Sequence, residues 1–146
     1  MALRNIVKIG DDVLRKVCRT QLVFDEKLAS LLDDMADTMY KAEGVGLAAP
    51  QIGILRRICV VDTGEGLIEL VNPVITEKSG EQTGQEGCLS IPNRFEDVRR
   101  PMNITVRAQN RKGENIEIKA EGFLARAFCH EIDHLDGILY IDRVKK

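Results

Sequence analysis

The sequence predicts an α+β fold in a single domain, and three observations carry that prediction. Apolar residues recur at helical spacing from Asp25 to Glu43. Two alternating strand patterns flank Asn110-Arg111-Lys112-Gly113, and a helical pattern returns after Gly122. Helix, then strands, then helix keeps the two kinds of element apart along the chain, as α+β folds do.

Taken in order, a short helix is expected from about Asp11 to Cys18. In the next one, Leu28, Leu31, Leu32, Met35 and Met39 form one apolar stripe and Gly44 supplies a stop. Strands are expected over Arg57–Asp62, Leu67–Asn72 and Val74–Glu77. The polar, glycine-containing stretch Ser79–Gln85 has a backbone able to fold against a bound metal. Ile104–Gln109 and Ile116–Ala120 alternate apolar and polar residues, which predicts an antiparallel hairpin with one wet face. The last helix runs from Phe123 to about Asp136 and stops at Gly137. No repeat or linker interrupts this order, so residues 1–146 read as one domain.

At 146 residues the chain can bury one core without metal or disulfide staples. A net charge of −2, with Lys and Arg scattered, leaves no footprint for nucleic acid or an anionic membrane. The short basic tail of Arg143, Lys145 and Lys146 reads as solvated. Met1-Ala2-Leu3-Arg4-Asn5 lacks the apolar core of a signal peptide, and no apolar run reaches membrane-spanning length, so a cytoplasmic protein is expected. The four cysteines form no CxxC pair, which excludes a zinc ribbon and a thioredoxin motif.

The chain has only two histidines, and both fall in His130-Glu131-Ile132-Asp133-His134. On a helix, residues four apart lie about 40° apart around the axis, so both imidazoles emerge on one face and can grip one cation. Glu131 sits beside the first ligand, where a carboxylate reaches a metal-activated water without binding the metal. The third ligand is not supplied by the metzincin pattern, because Tyr140 stands where its third His belongs. The downstream Glu of thermolysin-like sites is not expected either, since the sequence ends at Lys146. A cysteine is the soft alternative. Cys129 is displaced about 100° around the helix from His130, and Cys18 and Cys59 have the apolar surroundings of core thiols. Cys88, in Glu86-Gly87-Cys88-Leu89-Ser90, remains. A Cys-His-His site with an open fourth position is a catalytic arrangement.

Three segments in this order, Gly44-Val45-Gly46-Leu47-Ala48-Ala49-Pro50-Gln51, Glu86-Gly87-Cys88-Leu89-Ser90 and the HExxH helix extended by Leu135-Asp136-Gly137, resemble the peptide deformylase family. The resemblance covers nearly the whole chain. It implies antiparallel sheets packed around a central HExxH helix, and hydrolysis of the formyl group from N-formylmethionyl nascent peptides. It further implies that Cys88, His130 and His134 hold one divalent ion, ferrous iron first, with zinc, nickel or cobalt as alternatives. Glu131 would then be the general acid/base. Gln51 and the Leu89 N–H would meet the oxyanion, and Gly46 would lie against substrate. An extended peptide would pair with Gly44-Val45-Gly46, its methionine near Val45, Phe123, Arg126 and Ala127. Two departures stand out. Cys129 replaces a common Gln, which implies altered tuning, and little remains of the C-terminal extension through which some members dock to the ribosome. An HExxH peptidase and a non-catalytic metal- or peptide-binding domain are the rival readings.

Overall fold

Two helices cover opposite faces of one antiparallel sheet. The structure is a computed structural model and describes residues 2–144; Lys145 and Lys146 of the basic tail lie outside the described residues. Its strands are β1 (Gly46–Ala48), β2 (Ile58–Val61), β3 (Ile68–Ser79), β4 (Gln82–Cys88), β5 (Ile91–Arg100), β6 (Asn103–Gln109) and β7 (Asn115–Glu121), and its helices are α1 (Glu26–Lys41) and α2 (Gly122–Leu135). The main sheet has the order β1-β2-β3-β6-β7, while β4 and β5 form a separate ribbon. Every pairing is antiparallel. No helix among the described residues is long and apolar enough to cross a membrane.

The unbroken apolar run of β2 follows from cover on both faces. Ile58 and Val60 pack with Leu28, Leu32, Met35 and Met39 of α1, and Cys59 and Val61 pack with Phe128, Ile132 and Leu135 of α2. Each fully buried side chain of this size contributes about 1.5–3 kcal/mol. Beyond β3 only one face is covered. In the expected hairpin, Ile104, Val106 and Ala108 of β6 join Ile116, Ile118 and Ala120 of β7 toward α2, and Arg107 pairs with Glu117 on the wet face.

Both long helices lie where expected. Asp25 caps α1 by accepting from Leu28 N at 3.1 Å. The stop of α1, however, is set one residue before Gly44. Glu43 takes the left-handed conformation at φ 59°, its N–H donates to Tyr40 O, and Gly44 N donates to Met39 O. This is a Schellman motif with Glu where glycine is usual. Gly137 closes α2 the same way at φ 75°, through bonds to His134 O and, from Ile138, to Asp133 O.

Three expectations are corrected. The helix expected over Asp11–Cys18 is only a 3-10 turn, Asp12–Arg15, because Cys18 N and Arg19 N are drawn out to Leu135 O and Leu55 O. The strands expected on either side of Pro73 are one strand, β3. Proline lacks a ladder donor, and a register shift between Val71 and Val74 carries the chain past it. Asn72 makes that bulge at φ 53° and ties it down. Its side chain accepts from Gln21 N at 2.8 Å and donates to Gln21 O at 2.9 Å and Gln109 Oε1 at 2.7 Å. Finally, the polar stretch Ser79–Gln85, outside the expected strands, is mostly β4, paired with a strand, β5, that the sequence pattern did not suggest. The ribbon turns Glu86 and Arg100 inward as partners, and buried charges do not register in a pattern built on apolar residues.

Asn72→Ala is expected to lose about 2–4 kcal/mol in urea unfolding, since it removes three hydrogen bonds and strains φ. Asn72→Gly should lose less, because glycine tolerates the positive φ. Equal losses in the two variants would show that the bulge conformation carries no cost.

Candidate active site

The ribbon, the sheet edge and α2 meet around an open cleft of about 550 Å³. α2 supplies His130 and His134 from one face. β4 supplies Cys88 at its last residue, immediately before the Leu89-Ser90 turn. The ladder runs Glu86↔Glu96 and then jumps to Cys88↔Ile91; such irregularities re-aim a side chain at a strand end. The offered atoms of Cys88, His130 and His134 lie within 4.8 Å of one another, with Cys88 Sγ 3.4 Å from His134 Nε2.

Glu86 organises this corner. Its Oε1 is 2.9 Å from His130 Nδ1. Arg100 donates to both of its oxygens, at 2.9 and 3.0 Å, and Arg126 donates to Oε2 at 2.7 Å. Burial by itself would raise this carboxyl, yet the bonds from His130 and Arg100 outweigh it and hold it at about 2. An ionised Glu86 fixes the tautomer of His130 with Nδ1–H donating, which leaves Nε2 as the free donor atom. Arg100 also donates to Asp133 at 2.7 Å, linking the ribbon to α2.

The remaining buried groups suit a cation. Burial pushes His134 well below its ordinary pKa, so the imidazole is neutral and its lone pair available. Burial also acts to lower His130, but Glu131, Cys88 and Glu86 gather negative charge around it and push it up, so the ring holds at Nε2 a proton that a bound cation would displace. Burial raises Glu131 to about 7, with His130 pulling the other way. Glu131 Oε1 and His134 Nδ1 have no hydrogen-bond partner among the described residues. One thiol and two imidazoles form a donor set that fits a divalent transition metal, with the orphaned Glu131 oxygen beside it.

Around this corner the glycines are matters of space. A Cβ on Gly46 would stand 2.4 Å from Glu131 Oε2, and one on Gly44 would stand 2.6 Å from Leu89 Cδ1. Gln51 is buried in a 3-10 turn (Ala49–Ile52) that follows β1. Its Oε1 accepts from Ala48 N at 2.9 Å, which directs Nε2 toward Ser90 Oγ at 3.1 Å and Cys88 Sγ at 3.5 Å.

The residues expected from sequence all gather here. Gln51, Leu89, Gly44, Val45, Gly46, Phe123, Arg126 and Ala127 line the same cleft as Cys88, His130 and Glu131, and His134 lies beneath it, 1% exposed. Arg126 borders the cleft, but its guanidinium is committed to Glu86, Gly84 O and Val98 O. Cys129 lies on the sheet side of α2 in the core with Cys18 and Cys59, and burial pushes its thiol up to about 11. Sequence reasoning missed Glu86, Arg100 and Ser90 as parts of the site. One signal was present for Glu86: residues two apart on a strand share a face, so Glu86 belongs on the side of Cys88.

Fold and cleft together define an α+β protein with an open cleft and a candidate metal corner. The family model for polypeptide deformylase matches residues 3–146. The chain is 56% identical over 144 residues to the peptide deformylase of Acetivibrio thermocellus, covering 99% of this chain and 85% of that one. The crystal structure of the Thermotoga maritima peptide deformylase superposes with a TM-score of 0.99 at 44% identity, covering all of both chains. That of the Synechococcus elongatus peptide deformylase in complex with actinonin gives 0.95 at 39% identity, over 98% of this chain and 79% of that one. The chain belongs to the peptide deformylase family, and it is an enzyme, a hydrolase.

Gly46→Ala is expected to destabilise the protein by about 1–3 kcal/mol, because the new methyl must displace the Glu131 carboxylate. Chemical denaturation beside wild type measures it. An unchanged midpoint would show that Glu131 moves aside freely.

Proposed function

We propose that the protein removes the N-formyl group from formylmethionyl nascent peptides in the cytoplasm, releasing formate and a free amino terminus. The observation that carries this reading is the buried, unpartnered Glu131 oxygen beside the three-donor corner on the floor of an open cleft. In this reading Cys88, His130 and His134 hold one divalent ion, ferrous iron by family resemblance. Bound there, the ion supplies Lewis acidity toward a water and the formyl oxygen.

The chain's own residues do the rest. Glu131 accepts the proton of the attacking water and passes it to the departing amine, a task suited to a carboxyl whose pKa lies near neutrality. Gln51 Nε2, aimed by the bond from Ala48 N, and the Leu89 N–H meet the charge that develops on the formyl oxygen. Such preorganised donors are worth about 3–4 kcal/mol each.

β1 supplies the register for substrate. Asp62 N donates to Val45 O at 2.9 Å. In an antiparallel ladder such bonded pairs alternate with pairs whose groups point outward, so Gly46 turns its N–H and C=O to the open edge. Ala48, the next outward residue, has its N–H occupied by Gln51. An extended peptide adds to that edge as a further strand, with Val45, Phe123 and Ala127 as apolar neighbours for the methionine side chain.

The test is formate release from a formylmethionyl peptide by protein purified anaerobically and supplied with ferrous iron or nickel. Chelation should abolish release, and Glu131→Ala should lower turnover about 10²–10⁴-fold with metal content retained. A fully active Glu131→Ala would reject the role given to Glu131. Metal-loaded wild type that cleaves internal amide bonds and leaves formyl groups in place would replace the deformylase reading with the peptidase one.

A further inference from the structure

Tyr140 occupies the sequence position at which a metzincin would carry its third histidine, and it is the largest of the fully buried side chains, 1% exposed. It opens a 3-10 turn, Tyr140–Arg143, that follows α2. Its ring stacks on that of His130, with centroids 5.8 Å apart and 25° between the planes. Its phenolic O–H donates to Arg94 O at 2.7 Å. The turn is pinned to α2 by Arg143, which donates to both oxygens of Asp133 at 2.6 and 3.1 Å. Val144 then bridges to Val98 of β5.

The two contacts of Tyr140 fall on different parts of the site. Glu86 holds His130 through Nδ1, but a bond in the ring plane leaves the imidazole free to rock about its axis. A flat neighbour stacked on its face opposes that motion. Arg94, on the other side, sits in the irregular stretch of β5 between the pairs Cys88↔Ile91 and Glu86↔Glu96. Asn93 there is left-handed at φ 63°, and Pro92, Asn93 and Phe95 form one wall of the cleft. The ladder register does not hold this wall, whereas the tyrosine hydroxyl does.

We propose that Tyr140 is a positioning residue with two separable duties: its ring sets the plane of the His130 imidazole, and its hydroxyl holds the Pro92–Phe95 wall against substrate. The first duty rests on the reading of Cys88, His130 and His134 as metal ligands; the second does not. Tyr140→Phe keeps the ring and removes the hydroxyl. Tyr140→Leu removes both.

The experiment compares cobalt(II) affinity and visible spectrum with KM and kcat for a formylmethionyl tripeptide, in full-length wild type and both variants. Tyr140→Phe is expected to raise KM about 3–10-fold, the worth of one hydrogen bond, with kcat, cobalt affinity and spectrum unchanged. Tyr140→Leu is expected to weaken cobalt binding about 10-fold or more, as loss of a residue that orients a ligand does, and to alter the ligand-field bands. A wild-type KM in Tyr140→Phe overturns the hydroxyl's duty. Wild-type cobalt affinity and spectrum in Tyr140→Leu overturn the ring's duty. If wild type itself takes up no cobalt, the ligand reading falls and the ring's duty with it, while the hydroxyl's duty is decided by the Kd of the same tripeptide for wild type and Tyr140→Phe, which needs no turnover: an equal Kd overturns it.

Discussion

The structure depends on one buried carboxylate, Glu86, held between three cationic or donor groups from two other elements. Arg100 reaches it from β5, Arg126 and His130 from α2. Taking a carboxylate and two guanidiniums out of water costs several kcal/mol per ion, and only close, multiply bonded geometry offsets it. The return is positional. Glu86 ties β4 to α2 through Arg126 and His130, and Cys88, two residues on, meets the two histidines. Removing Glu86 would leave the buried Arg126 guanidinium without its carboxylate partner, a loss of about 3–5 kcal/mol.

The rest of the fold serves the same juncture from the other side. Cover on both faces of β1 and β2 makes this end of the sheet rigid, and β1 ends the sheet with its outer edge on the cleft. Gly46 lets Glu131 approach that edge more closely than any side chain would permit. Gln51 both occupies the N–H of Ala48 and presents its amide beside Cys88. Three segments far apart in sequence thus converge through backbone geometry as much as through side chains.

Much of this was legible in the residues. Helical spacing of Leu28, Leu32, Met35 and Met39 placed α1, alternation placed the β6–β7 hairpin, and the four-residue separation of His130 and His134 placed two donors on one helix face. The ribbon was not legible, because Gln82–Cys88 and Ile91–Arg100 bury Glu86, Arg100 and Val98 among polar neighbours, and the buried charges look like a solvated surface. The continuity of β3 through Pro73 was hidden because it relies on Asn72 bonding to Gln21 and Gln109, contacts between residues distant in the chain. The place of Tyr140 against His130 was hidden for the same reason. Local pattern reports which face of an element is apolar, whereas the partners of a buried polar group are set only when the elements meet.

The central claim is that Glu86 assembles a Cys88-His130-His134 donor set. The absorption spectrum of the cobalt(II)-loaded protein tests it most directly, through stoichiometry and thiolate-to-metal charge transfer. The account predicts one cobalt per chain and a charge-transfer band that Cys88→Ala abolishes. It predicts that Glu86→Gln keeps the band but binds cobalt about 10–100-fold more weakly. A charge-transfer band that survives Cys88→Ala, or a folded Glu86→Gln variant with wild-type cobalt affinity, would contradict it.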